Sequence, residues 1–214
     1  MGGRAFKQLN CPRISPDVYL KTRARTMKAL RNIFTHVVVP TDMPSKIDYG
    51  DIDFLVSGFK GNSSSSTLDW PAMVLAVKEA LNTPYGRRGH LNPSIMYFAI
   101  PGGSAYEGYG DGDKAFWIQV DIQMCMIPSD QQFEWSRFQL NYASGSKMLE
   151  SLMKPLGLTI NPDGMYIRVE EMEDTNFPGS MVFVSLEVKD VLRIIGLDWR
   201  ILYGGFETRE ESKH

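Results

Sequence analysis

Cysteine and histidine are scarce: the chain has 2 Cys and 3 His in 214 residues. Cys11 and Cys125 lie far apart and beside no pair of histidines, so the sequence supports neither a disulfide framework nor a zinc site. Unpaired thiols fit a reducing compartment, and the expected location is intracellular, in the cytoplasm. No apolar run approaches the ~20 residues of a membrane-spanning helix. The opening residues lack the apolar core of a secretory signal, and no membrane partner is expected. Met1-Gly2 begins as a myristoylation signal does, but Phe6 stands where that signal requires Ser or Thr. An excess of one charge sign is missing too. The 23 Lys and Arg against 25 Asp and Glu leave a net charge of -2, which argues against bulk coating of nucleic acid but leaves room for a local basic groove. A Gly-x-x-x-x-Gly-Lys-Ser/Thr loop is also lacking, because Gly102-Gly103-Ser104 has no following lysine and leads into a strand.

What is present is ordinary in bulk and specific in one stretch. An apolar share of 43% with 22% charged residues belongs to a globular chain long enough for one large or two small domains. The specific stretch is Lys46 to Ser57, KIDYGDIDFLVS. Asp51 and Asp53 open an apolar strand, where alternation turns both side chains to one face. Like charges this close repel, and burying them unpaired is costly. A divalent cation removes the conflict, and carboxylate oxygens suit Mg²⁺ or Mn²⁺, which bind through a few carboxylates plus substrate phosphates. A third acid lies downstream in AFWIQVDIQMC, where Phe116, Ile118, Val120 and Ile122 alternate with Trp117, Gln119, Asp121 and Gln123. Aspartate is disfavoured in strands. Metal ligand is the preferred reading of Asp121, and a solvent-facing residue on an edge strand is the alternative.

The remaining pattern predicts the elements around these acids. Ser15-Pro16-Asp17 starts a helix over 17–34, with Leu20, Met27, Leu30, Ile33 and Phe34 as its apolar stripe and Lys21, Arg23, Arg25 and Lys28 on other faces. His36 to Pro40 reads as a short buried strand, and Trp70, Val74, Val77 and Leu81 give a helix over 68–82. Further strands are expected at 51–57, 95–100 and 115–126, with the Gly/Ser run after Val56 as a loop. Arg87, Arg88 and His90 fall in a glycine-bracketed loop that suits a triphosphate or a nucleic-acid backbone on one reading and plain solvent exposure on the other. The opening leaves two readings. Gly2 and Gly3 with Arg4 and Lys7 would let backbone and cations approach a phosphate, whereas a frayed terminus is the default for first residues. Beyond Pro128, a helix over 147–154, a hairpin turning at Asn161-Pro162-Asp163-Gly164, a strand at MVFVS and a helix closed by Gly196 follow. The expected class is α+β, a mixed sheet flanked by helices over 1–128, with a smaller helical and hairpin region over 129–214.

The order of the acidic motif is informative. In haloacid-dehalogenase phosphatases and many glycosyltransferases, an apolar strand runs into Asp-x-Asp, whereas here the polar KIDYG precedes the acids and Phe54, Leu55 and Val56 follow. That order, with Gly50 before Asp51 and a third acid on another strand, resembles the nucleotidyltransferase superfamily, the polymerase-beta-like fold. GGRAF from Gly2, RISPDVY from Arg13, DYGDIDFLVSG, IQVD ending at Asp121, LTINPDGMYIRV, VLRIIGLD and GGFETREE together are similar to a group of nucleotidyltransferase-like proteins from fungi and large phages.

The resemblance implies transfer of a nucleoside monophosphate from an NTP to a hydroxyl acceptor: a small molecule, an RNA end or a protein side chain. Asp51, Asp53 and Asp121 are then the catalytic, metal-binding acids for Mg²⁺ or Mn²⁺. Gly2, Gly3, Arg4, Lys7 and Arg87 are the candidates for the nucleotide's phosphates. A catalytically inactive binding or regulatory protein on the same fold is the alternative, because no glycine pair directly precedes Asp51 and no triphosphate lysine is evident. A metal-dependent phosphohydrolase using the same carboxylates is a third reading.

Overall fold

Residue chemistry sets the first helix, α1 (Pro16–Ile33). Pro16 occupies a position where its missing N–H costs nothing, and Asp17 faces the positive end of the helix dipole. The Ser15 backbone is extended there, but its side chain makes no capping hydrogen bond. The buried face is Tyr19, Thr22, Thr26 and Leu30, so the expected stripe is rotated: Leu20 is 48% exposed. The computed structural model describes residues 3–61, 68–102, 116–126 and 129–200, with nothing to be said of the side chains at 143 and 144. Gly2, residues 62–67 of the Gly/Ser run, Gly103, Ser104 and the GGFETREE segment lie outside the described residues, and the run's first residues, Ser57 to Phe59, continue the preceding strand instead of starting a loop.

Phe34 leaves the helix and begins β1 (Phe34–Val38), which pairs antiparallel with β2 (Asp51–Phe59). The strand expected at 36–40 therefore starts two residues earlier, and it is half-solvated rather than buried. It lies at a sheet edge, where Phe34 and Val37 are buried while Thr35 and His36 stay exposed. After α2 (Trp70–Ala80) come β3 (Tyr85–Arg88), β4 (Ile95–Gly102) and β5 (Phe116–Met124). Asp69 caps α2 by accepting from the Ala72 N–H at 3.0 Å. The five strands form one mixed sheet in the order β1-β2-β5-β4-β3, with β2 and β5 parallel and the other pairs antiparallel.

The arginine-containing segment at 85–88 is thus a strand and not a loop, although YGRR has no apolar alternation. Its backbone pairs with β4 from Tyr85↔Ala99 to Arg88↔Met96. Thr83 anchors its start, its hydroxyl donating to the Ala99 carbonyl and accepting from the Tyr85 N–H.

Alternation divides this sheet into two chemically different faces. Ile52, Phe54 and Val56 of β2, Val120 and Ile122 of β5, and Phe98 and Ile100 of β4 are all but inaccessible. They form one core with Tyr19 and Leu30 of α1 and Trp70, Met73 and Val77 of α2. The intervening residues, Asp51, Asp53, Gln119, Asp121 and Tyr97, stand on the opposite face.

Contacts group Met1–Val39 with Lys46–Met126, and Pro40–Ser45 with Ile127–His214. The second unit contains α3 (Asp130–Ser144), α4 (Ser146–Met153), β6 (Leu158–Asn161), β7 (Gly164–Arg168), α5 (Glu170–Glu173), β8 (Met181–Ser185) and α6 (Val188–Ile194). Strands β6, β7 and β8 form an antiparallel sheet. Its hairpin turns where expected, and Gly164 sits at φ 142, a region that side-chain-bearing residues avoid. Trp135, Phe138, Met165, Val191 and Leu192 build a separate core. The Trp135 indole N–H donates to the Asn161 carbonyl at 2.9 Å. Pro40–Ser45 joins this unit through Thr41, whose N–H donates to Asn141 Oδ1 and whose carbonyl accepts from the Tyr142 N–H. Among the described residues no helix is long and apolar enough to cross a membrane.

Candidate active site

The acids are placed by the turn that precedes them. Ile14 and Tyr49 exchange two backbone hydrogen bonds at 2.8 and 2.9 Å, and Tyr19 stacks on Tyr49 with ring centroids 3.7 Å apart. Arg13 pairs with the Asp48 carboxylate at 2.7 Å and also donates to the Asp48 carbonyl. That guanidinium holds the half-buried Asp48 carboxyl below its ordinary range. Two segments remote in sequence, RISPDVY and DYGDID, therefore form one clasp, and β2 emerges from it at Asp51.

Register then assembles a polar row across four strands. Asp53 on β2 pairs with Asp121 on β5, Asp121 with Tyr97 on β4, and Tyr97 with Arg87 on β3. Partners in register share a face, and Asp51 stands on that face one row away, opposite Gln119. Asp53 is exposed, while Asp51 and Asp121 are half-buried. The alternative reading of Asp121, a solvent-facing residue on an edge strand, fails because β5 lies at the centre of the sheet.

Electrostatics mark Asp121 as the strained member. Desolvation, followed by the Asp53 charge, pushes its carboxyl up to about 8, with Asp51 adding to the rise. The hydrogen bond from Gln119 and the positive charge of Arg87 act the other way without cancelling it. The Tyr97 hydroxyl is also raised, by burial first and then by the Asp121 charge. Among the described residues no group of three His, Cys, Asp or Glu is gathered around one point as a ready metal cage. The acids share a face and an electric field instead of a closed ligand set. Mg²⁺ is usually held by one or two carboxylates, with waters and substrate phosphates completing its shell. The donor set of hard oxygens, mutually repelling and aligned by register, fits that mode of binding.

The N-terminal segment closes over this face. Ala5 donates its N–H to Gln119 Oε1 at 2.8 Å, and its carbonyl accepts from Arg87 Nη2 at 3.0 Å. Phe6 is buried, with its ring edge-on to Tyr85, which also meets Trp117 edge-on. The Asn10 carbonyl accepts from the Trp117 N–H at 2.8 Å. Gly3 to Asn10 is thus docked on the sheet, which overturns the frayed-terminus reading for these residues. Apolar and aromatic burial at Phe6, together with the Ala5 hydrogen bonds, supplies what a free terminus lacks.

A cleft of about 510 Å³ opens beside the row, lined by Gly3, Arg4, Ala5, Asp51, Arg87, His90, Leu91, Tyr97 and Gln119. Of the residues expected to meet phosphate, Gly3, Arg4 and Arg87 line it. Lys7 is exposed and does not line it. Asp53 and Asp121 do not line the cleft itself and lie on the same sheet face. Arg88, grouped in sequence with Arg87, serves packing: it donates to the Pro93 carbonyl at 2.6 Å and lies 3.9 Å over the Trp70 ring. Sequence reasoning missed Ala5, Tyr97 and Gln119 as site residues. The available signal for Gln119 was its position two residues before Asp121 on the same strand face.

Compared with models of known protein families and with curated proteins, the chain matches none.

Proposed function

We propose that the protein is a metal-dependent nucleotidyltransferase, with a nucleotidyltransferase-like first unit that moves a nucleoside monophosphate from an NTP to a hydroxyl acceptor. The observation that carries this reading is the register pairing of Asp53 with Asp121 on adjacent parallel strands, with Asp51 on the same face beside the cleft. A volume of about 510 Å³ falls within the usual range for small-molecule and cofactor sites. Asp51, Asp53 and Asp121 would hold Mg²⁺ or Mn²⁺, which supplies charge neutralisation at the phosphates and a lowered pKa at the acceptor hydroxyl.

The chain's own groups divide the remaining work. Arg4 and Arg87 neutralise the triphosphate and the departing pyrophosphate. Arg87 is oriented for this by its bond to Ala5 and by the Phe6 and Tyr97 rings, 5.8 and 5.1 Å from its guanidinium. In the transfer, the acceptor oxygen bonds to the α-phosphorus, the α–β anhydride bond breaks and pyrophosphate leaves. Asp121 in its ionised form takes the acceptor's proton.

The test is thermal unfolding of the wild type and Asp53→Ala with Mg²⁺ and each NTP in turn. The wild type is expected to be stabilised by NTP with Mg²⁺ and the variant not. Incubation with NTP labelled at the α-phosphate and an RNA pool then asks whether label is transferred. Stabilisation without transfer to any acceptor would favour the binding-protein reading. A wild type indifferent to both metal and NTP would overturn the proposal.

A further inference from the structure

Gln119 and Arg87 meet the backbone of one residue, Ala5, Gln119 at its N–H and Arg87 at its carbonyl. Ala5 donates to Gln119 Oε1 and accepts from Arg87 Nη2, while Gln119 Nε2 donates to Asp121 Oδ1 at 2.7 Å. The Ala5 N–H can only donate, so the Gln119 oxygen must face it and the amide nitrogen must face Asp121. Gln119 is 4% exposed, which leaves water little opportunity to replace either partner. Three hydrogen bonds thus run from a cleft-lining cation, through the backbone of one residue, Ala5, to an acid of the polar row. Gly3 permits the close approach, because a Cβ there would lie 2.4 Å from both Gln119 Cβ and Gln119 Oε1.

We propose that Gln119 is a positioning residue that fixes the orientation of Asp121 and couples it, through Ala5, to Arg87. The N-terminal strap from Gly3 to Phe6 is then a working part of the site, since displacing it releases both the Gln119 oxygen and the Arg87 guanidinium. Residues that orient a metal-binding carboxylate from behind commonly contribute about 10- to 100-fold to metal affinity. The inference rests on the metal-dependent reading given above and adds to it the group that aims the third acid.

The experiment is calorimetric titration of the full chain with Mn²⁺ alone, on the wild type, Gln119→Met and Gly3→Ala. Gln119→Met keeps the length of the side chain but replaces its amide by an apolar thioether. Gly3→Ala changes no polar group and forces the strap and the Gln119 side chain apart. Both variants are expected to bind Mn²⁺ about tenfold or more weakly. A second readout is the NMR signal of the Gln119 side-chain amide and the Ala5 N–H, which are expected to move along one saturation curve as Mg²⁺ is added. Affinities within twofold of wild type in the folded variants, or amide signals that ignore Mg²⁺, would overturn the coupling while leaving metal binding intact. If Gln119→Met does not fold by circular dichroism, Gly3→Ala decides by the same criterion. No Mn²⁺ binding by the wild type would overturn both this inference and the functional reading beneath it.

Discussion

Asp121 concentrates the conflict that the site has to resolve. Its carboxyl is raised from 3.8 to about 8 by desolvation and by the neighbouring Asp53 charge, so the folded metal-free protein prefers it protonated. The sign follows from linkage. Between about pH 4 and pH 8 the unfolded chain releases a proton that the native state keeps, so this group's stabilising contribution is lost as pH rises through that window. In chelator, wild-type stability is therefore expected to fall over this range, and Asp121→Asn, which cannot ionise, is expected to flatten the slope. Thermal or urea unfolding at pH 8 is expected to show the variant more stable by a few kcal/mol. With Mg²⁺ added, the gap is expected to narrow or reverse, because the wild type with its third acid gains more from the cation. A wild type whose metal-free stability is flat across this range would contradict the account of Asp121. The acids themselves were legible in sequence, since period-2 alternation and two charges at i and i+2 are local signals. The chain from Arg87 through Ala5 and Gln119 was not, because Ala5 and Gln119 are 114 residues apart and only folding brings them together.

At the scale of elements, legibility followed how much of each segment's burial was its own. Helix α1 and strands β2, β4 and β5 carry strong apolar periodicity and appeared within a few residues of their expected bounds. Strand β3 did not, because YGRR owes its conformation to backbone pairing with β4 and to the Thr83 anchor. Helix α3 carries its buried Trp135 and Phe138 among polar neighbours, so no continuous apolar stripe marks it in the sequence. Trp135 now bears a specific load: it is fully buried and its indole N–H holds the Asn161 carbonyl at the end of β6. Trp135→Ala is expected to cost about 3–5 kcal/mol in urea unfolding followed by circular dichroism, through the cavity and the lost hydrogen bond. A loss under about 1 kcal/mol would show that this core tolerates the deletion and that α3 is held by other contacts.

For the whole molecule, a net charge of -2 conceals a division. Lys and Arg outnumber Asp and Glu in the unit containing the polar row, and acids outnumber cations in the other. A unit with an excess of cations suits an anionic substrate brought to a patch of carboxylates, provided a metal ion offsets those carboxylates. The two hydrophobic cores share no residue, and the acids, the strap and the cleft all belong to the first. The central claim is that Asp51, Asp53 and Asp121 jointly hold a divalent cation beside an NTP site. Anomalous diffraction from crystals of the full chain grown with Mn²⁺ and a non-hydrolysable NTP tests it most directly. The expected result is a manganese peak bound by carboxylate oxygens from β2 and from Asp121, with the nucleotide's phosphates directed at Arg87. Manganese bound elsewhere, with all three carboxylates left unliganded, would contradict it.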